Sequence, residues 1–150
     1  MDSEEIAGVL QQAGYRLDGH AENPDVVIIN TCGFIEPAKR EGLQVIQHAL
    51  QEKRAGRVGR VIVAGCLVQR EGETLRQMFP DVDAFVGVGQ MARFAEIVGT
   101  VRRSTQPLTD IQPPHHRWAE VTSRLRTRAP WSAYLKISEG CDHKCTFCTI

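Results

Sequence analysis

The chain has 150 residues and is 42% hydrophobic, enough for one domain with a real core, or for one domain and part of another. Lysine plus arginine equals aspartate plus glutamate at 18 each, so the chain as a whole offers no electrostatic case for a nucleic-acid or membrane-surface partner. No run of about 18 apolar residues occurs and the opening Met1-Asp2-Ser3-Glu4-Glu5 lacks a basic-then-apolar layout, which argues against a transmembrane helix or secretory signal and predicts a cytoplasmic protein.

The first segment, Asp2 to Gly14, has an N-cap at Asp2 or Ser3, acids in its first turn and apolar Ile6, Val9, Leu10 and Ala13 at helical spacing, with Gly14 as a stop. Asp25 to Ile29 is a β-branched run suited to a central strand buried on both faces, and it leads into Asn30-Thr31-Cys32-Gly33. Helical spacing returns from about Glu36 to Arg54 through Ala38, Leu43, Ile46 and Leu50, with Pro37 tolerated in the first turn. The pattern then repeats. Gly59 to Ala64 is a second apolar strand, ending in Gly65-Cys66, and Arg70 to Phe79 is a second helix stopped by Pro80. Ala84 to Val86 is a third strand, followed by a helix from about Met91 to Val98. Such alternation calls for an α/β fold: a doubly wound parallel sheet with helices on both faces and right-handed crossovers.

From Thr100 to Pro130 the texture changes to prolines, histidines and scattered arginines, read as an interdomain linker with one short strand, Trp118 to Thr122. Charge is uneven along the chain: residues 1–100 carry 10 basic and 14 acidic side chains, residues 101–150 carry 8 and 4. The excess lies mainly in Arg102, Arg103, Arg117, Arg124, Arg126 and Arg128, read as a solvated connector, with a docking strip for a negatively charged partner as the alternative. Ser132 to Ser138 then looks like a strand feeding a cysteine loop. The expected organisation is a domain over 1–99, a linker over 100–130, and over 131–150 the truncated start of a second domain.

Cytoplasmic thiols stay reduced, so the five cysteines are read first as metal ligands or reactive groups. Cys141, Cys145 and Cys148 are spaced to reach three corners of a cubane cluster from one loop, leaving a fourth iron without a protein ligand. A structural zinc site would close with four ligands, and His143 could supply the fourth in that alternative. The loop resembles the radical S-adenosylmethionine signature, with Phe147 at the aromatic position before the last cysteine. The resemblance implies that the open iron binds the cofactor's amino and carboxylate groups, and that an electron from the cluster yields a 5′-deoxyadenosyl radical.

Cys32 and Cys66 each lie just past the carboxyl end of a predicted strand, the edge of an open parallel sheet where ligands bind. Either cysteine alone reads as a small buried residue; the repetition of strand, small residue and cysteine points to a second metal centre. Asn30-Thr31-Cys32-Gly33-Phe34-Ile35, Ala64-Gly65-Cys66-Leu67 and Ala133 to Cys141 resemble the methylthiotransferase family over nearly the whole chain. That family implies a flavodoxin-like amino-terminal domain and a partial α/β barrel. It implies an auxiliary four-iron four-sulfur cluster on three cysteines, two of them matched here by Cys32 and Cys66, and a radical cluster on Cys141, Cys145 and Cys148. The family's first strand and first cysteine are expected upstream, leaving an unpaired position in the sheet.

Gly33-Phe34-Ile35 resembles the branch that adds a methylthio group to the β-carbon of an aspartate in a small-subunit ribosomal protein of the decoding centre. The branch that modifies tRNA adenosine is the alternative. One S-adenosylmethionine would methylate cluster-held sulfur and a second would supply the radical. The other readings are a zinc-stabilised binding module and a catalytically inert fragment. His20, His48, His115 and His116 receive no role.

Overall fold

The computed structural model describes residues 2–113, 124–126, 131–132, 141, 143 and 145–148. Its elements are α1 (Asp2–Gln12), β1 (Val26–Thr31), α2 (Glu36–Arg54), β2 (Arg60–Gly65), α3 (Cys66–Met78), β3 (Ala84–Val86), a 3₁₀ segment (Val88–Arg93), α4 (Phe94–Arg103) and β4 (Leu108–Asp110). The strands form one parallel sheet in the order β1-β2-β3-β4. The predicted α/β class and parallel sheet are therefore present, consistent with a flavodoxin-like domain.

Alternation along β2 divides the core into two layers. Side chains of successive strand residues point to opposite faces, so Val61 and Val63 meet Ile46, Leu50, Leu67 and Leu75 of α2 and α3. Ile62 and Ala64 meet Ile6, Leu10, Phe94 and Ile97 of α1 and α4 on the other face. Because α2 and α3 lie on one face and α4 on the other, while every strand is added on the same side, the third crossover has the opposite hand to the first two. The three cannot all be right-handed, as the pattern predicts. The 3₁₀ segment after β3 makes the difference, since it delivers the buried Met91 and Phe94 to the α1 face.

Several boundaries also differ. The second helix begins at Cys66, four residues before Arg70, with a non-helical residue at Glu71 (φ −127°, ψ 23°). The third begins at Phe94 and runs to Arg103. Residues 100–110, read as linker, instead complete α4 and form β4, which pairs with β3. β1 is an edge strand among the described residues, and Val26, Val27 and Ile28 are only half-buried. Beside it lies a groove of about 820 Å³ whose lining includes Ile6, Leu10, Tyr15, Val26, Ile28 and Arg102. α1 ends as expected: Gly14 takes φ +82°, while Gly14 N–H donates to the Gln11 carbonyl and Tyr15 N–H to that of Leu10.

Arg124 departs from the solvated-connector reading. Its Nε donates to Glu4 Oε2 at 2.7 Å, and Leu125 N–H donates to the Glu4 carbonyl at 2.9 Å. A carboxylate as buried as Glu4, 7% exposed, requires such a partner. The predicted strands at 118–122 and 132–138 lie, but for Ser132, outside the described residues. No helix among the described residues is long and apolar enough to cross a membrane.

Candidate metal centre at the carboxyl edge of the sheet

Asn30, Thr31 and Gly33 fix the end of β1 against α1, the end of β2 and the start of α3. Asn30 Nδ2 donates to Ser3 Oγ at 2.8 Å, tying the strand end to the first turn of α1. Thr31 lies in register with Gly65, is 4% exposed, and donates its hydroxyl to the Ala64 carbonyl at 2.6 Å. Gly65 has φ +103° and ψ −166°, a conformation essentially restricted to glycine. A Cβ there would stand 2.5 Å from both Asn30 Oδ1 and the Thr31 carbonyl oxygen. The strand thus turns into α3 within one residue and delivers Cys66 to the first position of the helix.

Cys32 and Cys66 therefore follow the register pair Thr31–Gly65, and the structure brings their segments together at one edge. The contact is tight. A Cβ on Gly33 would lie 3.0 Å from Leu67 Cα and 3.2 Å from the Cys66 carbonyl carbon, so a larger residue would press the two backbones apart by a few tenths of an ångström. Arg70, one turn beyond Cys66, reaches back and donates from Nη1 to the Gly33 carbonyl. At the kink, Lys39 Nζ of α2 meets Glu71 Oε2 at 2.7 Å. Cys32 is exposed and Cys66 half-buried, and neither is in a disulfide. Exposed Phe34 and Ile35 follow on the same loop.

The second cysteine group lies on an exposed loop. Cys148 N–H donates to the Cys145 carbonyl at 3.2 Å across a turn, and His143 N–H points to Cys141 Sγ at 3.5 Å. Cys141, Cys145, Phe147 and Cys148 are all exposed, Phe147 at 89%. Thiolates spaced this closely are soft donors suited to iron–sulfur clusters, and an amide directed at Cys141 sulfur is compatible with that role. Cys32 and Cys66 fit as two donors of a further centre. Among the described residues, no three His, Cys, Asp or Glu side chains converge closely enough to hold a metal ion.

Charge perturbation lies elsewhere. Glu52, Glu73, Asp81 and Glu96 are held below the ordinary carboxylate value by hydrogen bonds from Arg57, Arg76, Arg54 and Arg93 respectively. Asp18 is lowered first by the His20 amide and then by Arg16. Of these, Glu73 lies on α3 beyond its kink, and the others lie outside the elements and loops that carry the cysteines. Sequence reading missed Thr31, Arg70 and the Lys39–Glu71 pair. Arg70 stands four residues after Cys66, a same-face helical spacing, but that signal depends on the helix beginning at Cys66.

The profile of the uncharacterized protein family UPF0004 matches residues 1–87. Over all 150 residues the chain is 41% identical to the ribosomal protein uS12 methylthiotransferase RimO of Bdellovibrio bacteriovorus, covering 33% of that protein. The enzymes of the same name from Anaeromyxobacter sp. (strain K) and Pelobacter propionicus are 41% and 37% identical over 150 residues, with 31% and 33% of their lengths covered. The chain spans about a third of the length of these curated relatives.

Proposed function

Since the chain belongs to the protein family UPF0004, we propose that it is part of a radical S-adenosylmethionine methylthiotransferase acting on an aspartate β-carbon of ribosomal protein uS12. The observation that carries this reading is the meeting of the Cys32 and Cys66 segments at the carboxyl edge of a parallel sheet. The three-thiol loop and full-chain alignment with relatives of that printed name support it.

In this reading Cys141, Cys145 and Cys148 hold a four-iron four-sulfur cluster with one open iron for S-adenosylmethionine, and Phe147 flanks that site. Cys32 and Cys66 supply two ligands to an auxiliary four-iron four-sulfur cluster. Bound together, these groups supply the radical and the sulfur needed to replace an unactivated carbon–hydrogen bond with carbon–sulfur. The chain's residues present soft donors, fix their separation through Thr31, Gly33 and Gly65, and leave Phe34 and Ile35 exposed beside Cys32. They orient the cofactors, which carry the reaction.

The test is anaerobic reconstitution of the full-length protein with iron and sulfide, followed by metal and sulfide analysis and mass spectrometry of uS12. Replacing Cys141, Cys145 and Cys148 by alanine should remove one cluster's iron and all 5′-deoxyadenosine formation. Replacing Cys32 and Cys66 should spare 5′-deoxyadenosine while abolishing the methylthio mass gain. Zinc without iron or sulfide in the wild-type protein would overturn the reading in favour of a zinc-stabilised module.

A further inference from the structure

We infer that Arg70 is a positioning residue that sets the spacing between Cys32 and Cys66; this rests on the reading of those two thiols as ligands of one centre. The kink at Glu71 separates the turn bearing Cys66 from the remainder of α3. That turn therefore needs contacts of its own to fix it against the loop bearing Cys32. Arg70 supplies one that spans the two segments directly, from the residue four after Cys66 to the carbonyl of the residue after Cys32. Glycine at position 33 permits the approach, since any Cβ would press on the Leu67 and Cys66 backbone.

The Lys39–Glu71 pair secures the kink from α2, with both side chains less than a third exposed. It does not touch the Cys32 loop; Thr31 bonds the strand ends just before the two cysteines, and the Arg70–Gly33 bond joins the two segments just after them. A guanidinium suits the task because it remains charged and has several donors on a long stem. Losing a charge-assisted hydrogen bond of this kind corresponds to about a tenfold change in the population of the clasped state.

The test uses the 150-residue chain with Cys141, Cys145 and Cys148 replaced by serine, leaving Cys32 and Cys66 as its two thiols. Equilibration with reduced and oxidised glutathione then gives their effective concentration toward each other. Arg70→Gln should lower it about tenfold, and Arg70→Lys should recover most of the loss. Asp83→Asn, which loosens the opposite edge of the sheet, should lower the thermal midpoint and leave the thiol equilibrium unchanged. The inference is overturned if Arg70→Gln leaves that equilibrium unmoved, or if Arg70→Gln and Asp83→Asn shift it equally. Failure of the parent pair to form a disulfide under any glutathione ratio would instead sink the paired-thiol reading beneath it.

Discussion

Replacing Gly65 by alanine isolates what the strand-to-helix turn demands of the sequence. Two penalties combine. The backbone at φ +103° and ψ −166° is essentially glycine-only, which costs a residue with a Cβ about 1–3 kcal/mol. The new methyl would also stand 2.5 Å from Asn30 Oδ1 and from the Thr31 carbonyl oxygen. Asn30 can rotate away by giving up its bond to Ser3, whereas the Thr31 carbonyl belongs to β1 and moves only if the ends of β1 and β2 part. Gly56→Ala is the matched comparison: φ is +76°, but nothing lies within 4 Å of its Cβ. That variant should cost about 1 kcal/mol, the left-handed penalty less the gain from a stiffer unfolded chain. Gly65→Ala should cost about 3–4 kcal/mol once the clash is added, lowering the midpoint by roughly 15 °C for a domain of this size. Urea unfolding followed by circular dichroism measures both. A difference below about 1 kcal/mol between the two variants would refute the reasoning, since it would show that the β1 end yields freely.

Thr31→Val keeps the side-chain shape and removes the hydroxyl bonded to the Ala64 carbonyl. It should cost about 1–2 kcal/mol with an unchanged denaturant slope, and a loss too small to resolve would show that the hydroxyl does not clamp the strand ends. Asp83→Asn addresses the other edge, where the carboxylate meets Lys53 at 2.5 Å and Arg60 at 3.3 Å and accepts from Val61 N–H at 2.8 Å. The amide can keep the backbone contact and loses both ion pairs, so thermal unfolding should report a loss of about 1–2 kcal/mol; an unaltered midpoint would show that the two cations are equally well solvated without Asp83.

Legibility followed the strength of local signals. Glu36 and Pro37 announce α2, which starts at Glu36 and runs to Arg54, as its periodicity predicts. The β-branched run Val26 to Ile29 identifies a strand, but its composition says nothing of its place in the sheet, and β1 lies at the edge among the described residues. α3 starts four residues earlier than its pattern predicts because Gly65 turns the chain alone, leaving Leu67 and Val68 to continue an apolar run with no polar gap between strand and helix. β4 has three residues, only one of them a large hydrophobe, and sits beside Pro107 in a stretch whose composition resembles a connector. Arg124 was indistinguishable from its neighbouring arginines in sequence, because its partner Glu4 is 120 residues away. Of the candidate site, the placement of Cys32 and Cys66 after strands was legible. The side chains that fix their spacing were not, since hydroxyl, guanidinium and glycine contacts across segments leave no periodic trace.

Parallel register explains why a repeated sequence unit becomes a spatial pair. Neighbouring strands lie about 4.8 Å apart, so residues at equivalent places past two paired strands emerge side by side. The same counting shows where the pairing stops. Ala64 is in register with Val86 of β3, so the place matching Cys66 falls to Val88, whose amide donates to Gln69 Oε1 at 3.1 Å. β3 thus presents an apolar side chain and an engaged amide where β1 and β2 present thiols. The opposite flank differs, because the outer edge of β1 borders the groove beneath α1. Among the described residues, the β3 side offers no cysteine beside Cys66, and the groove beside Cys32's strand lies on the other flank.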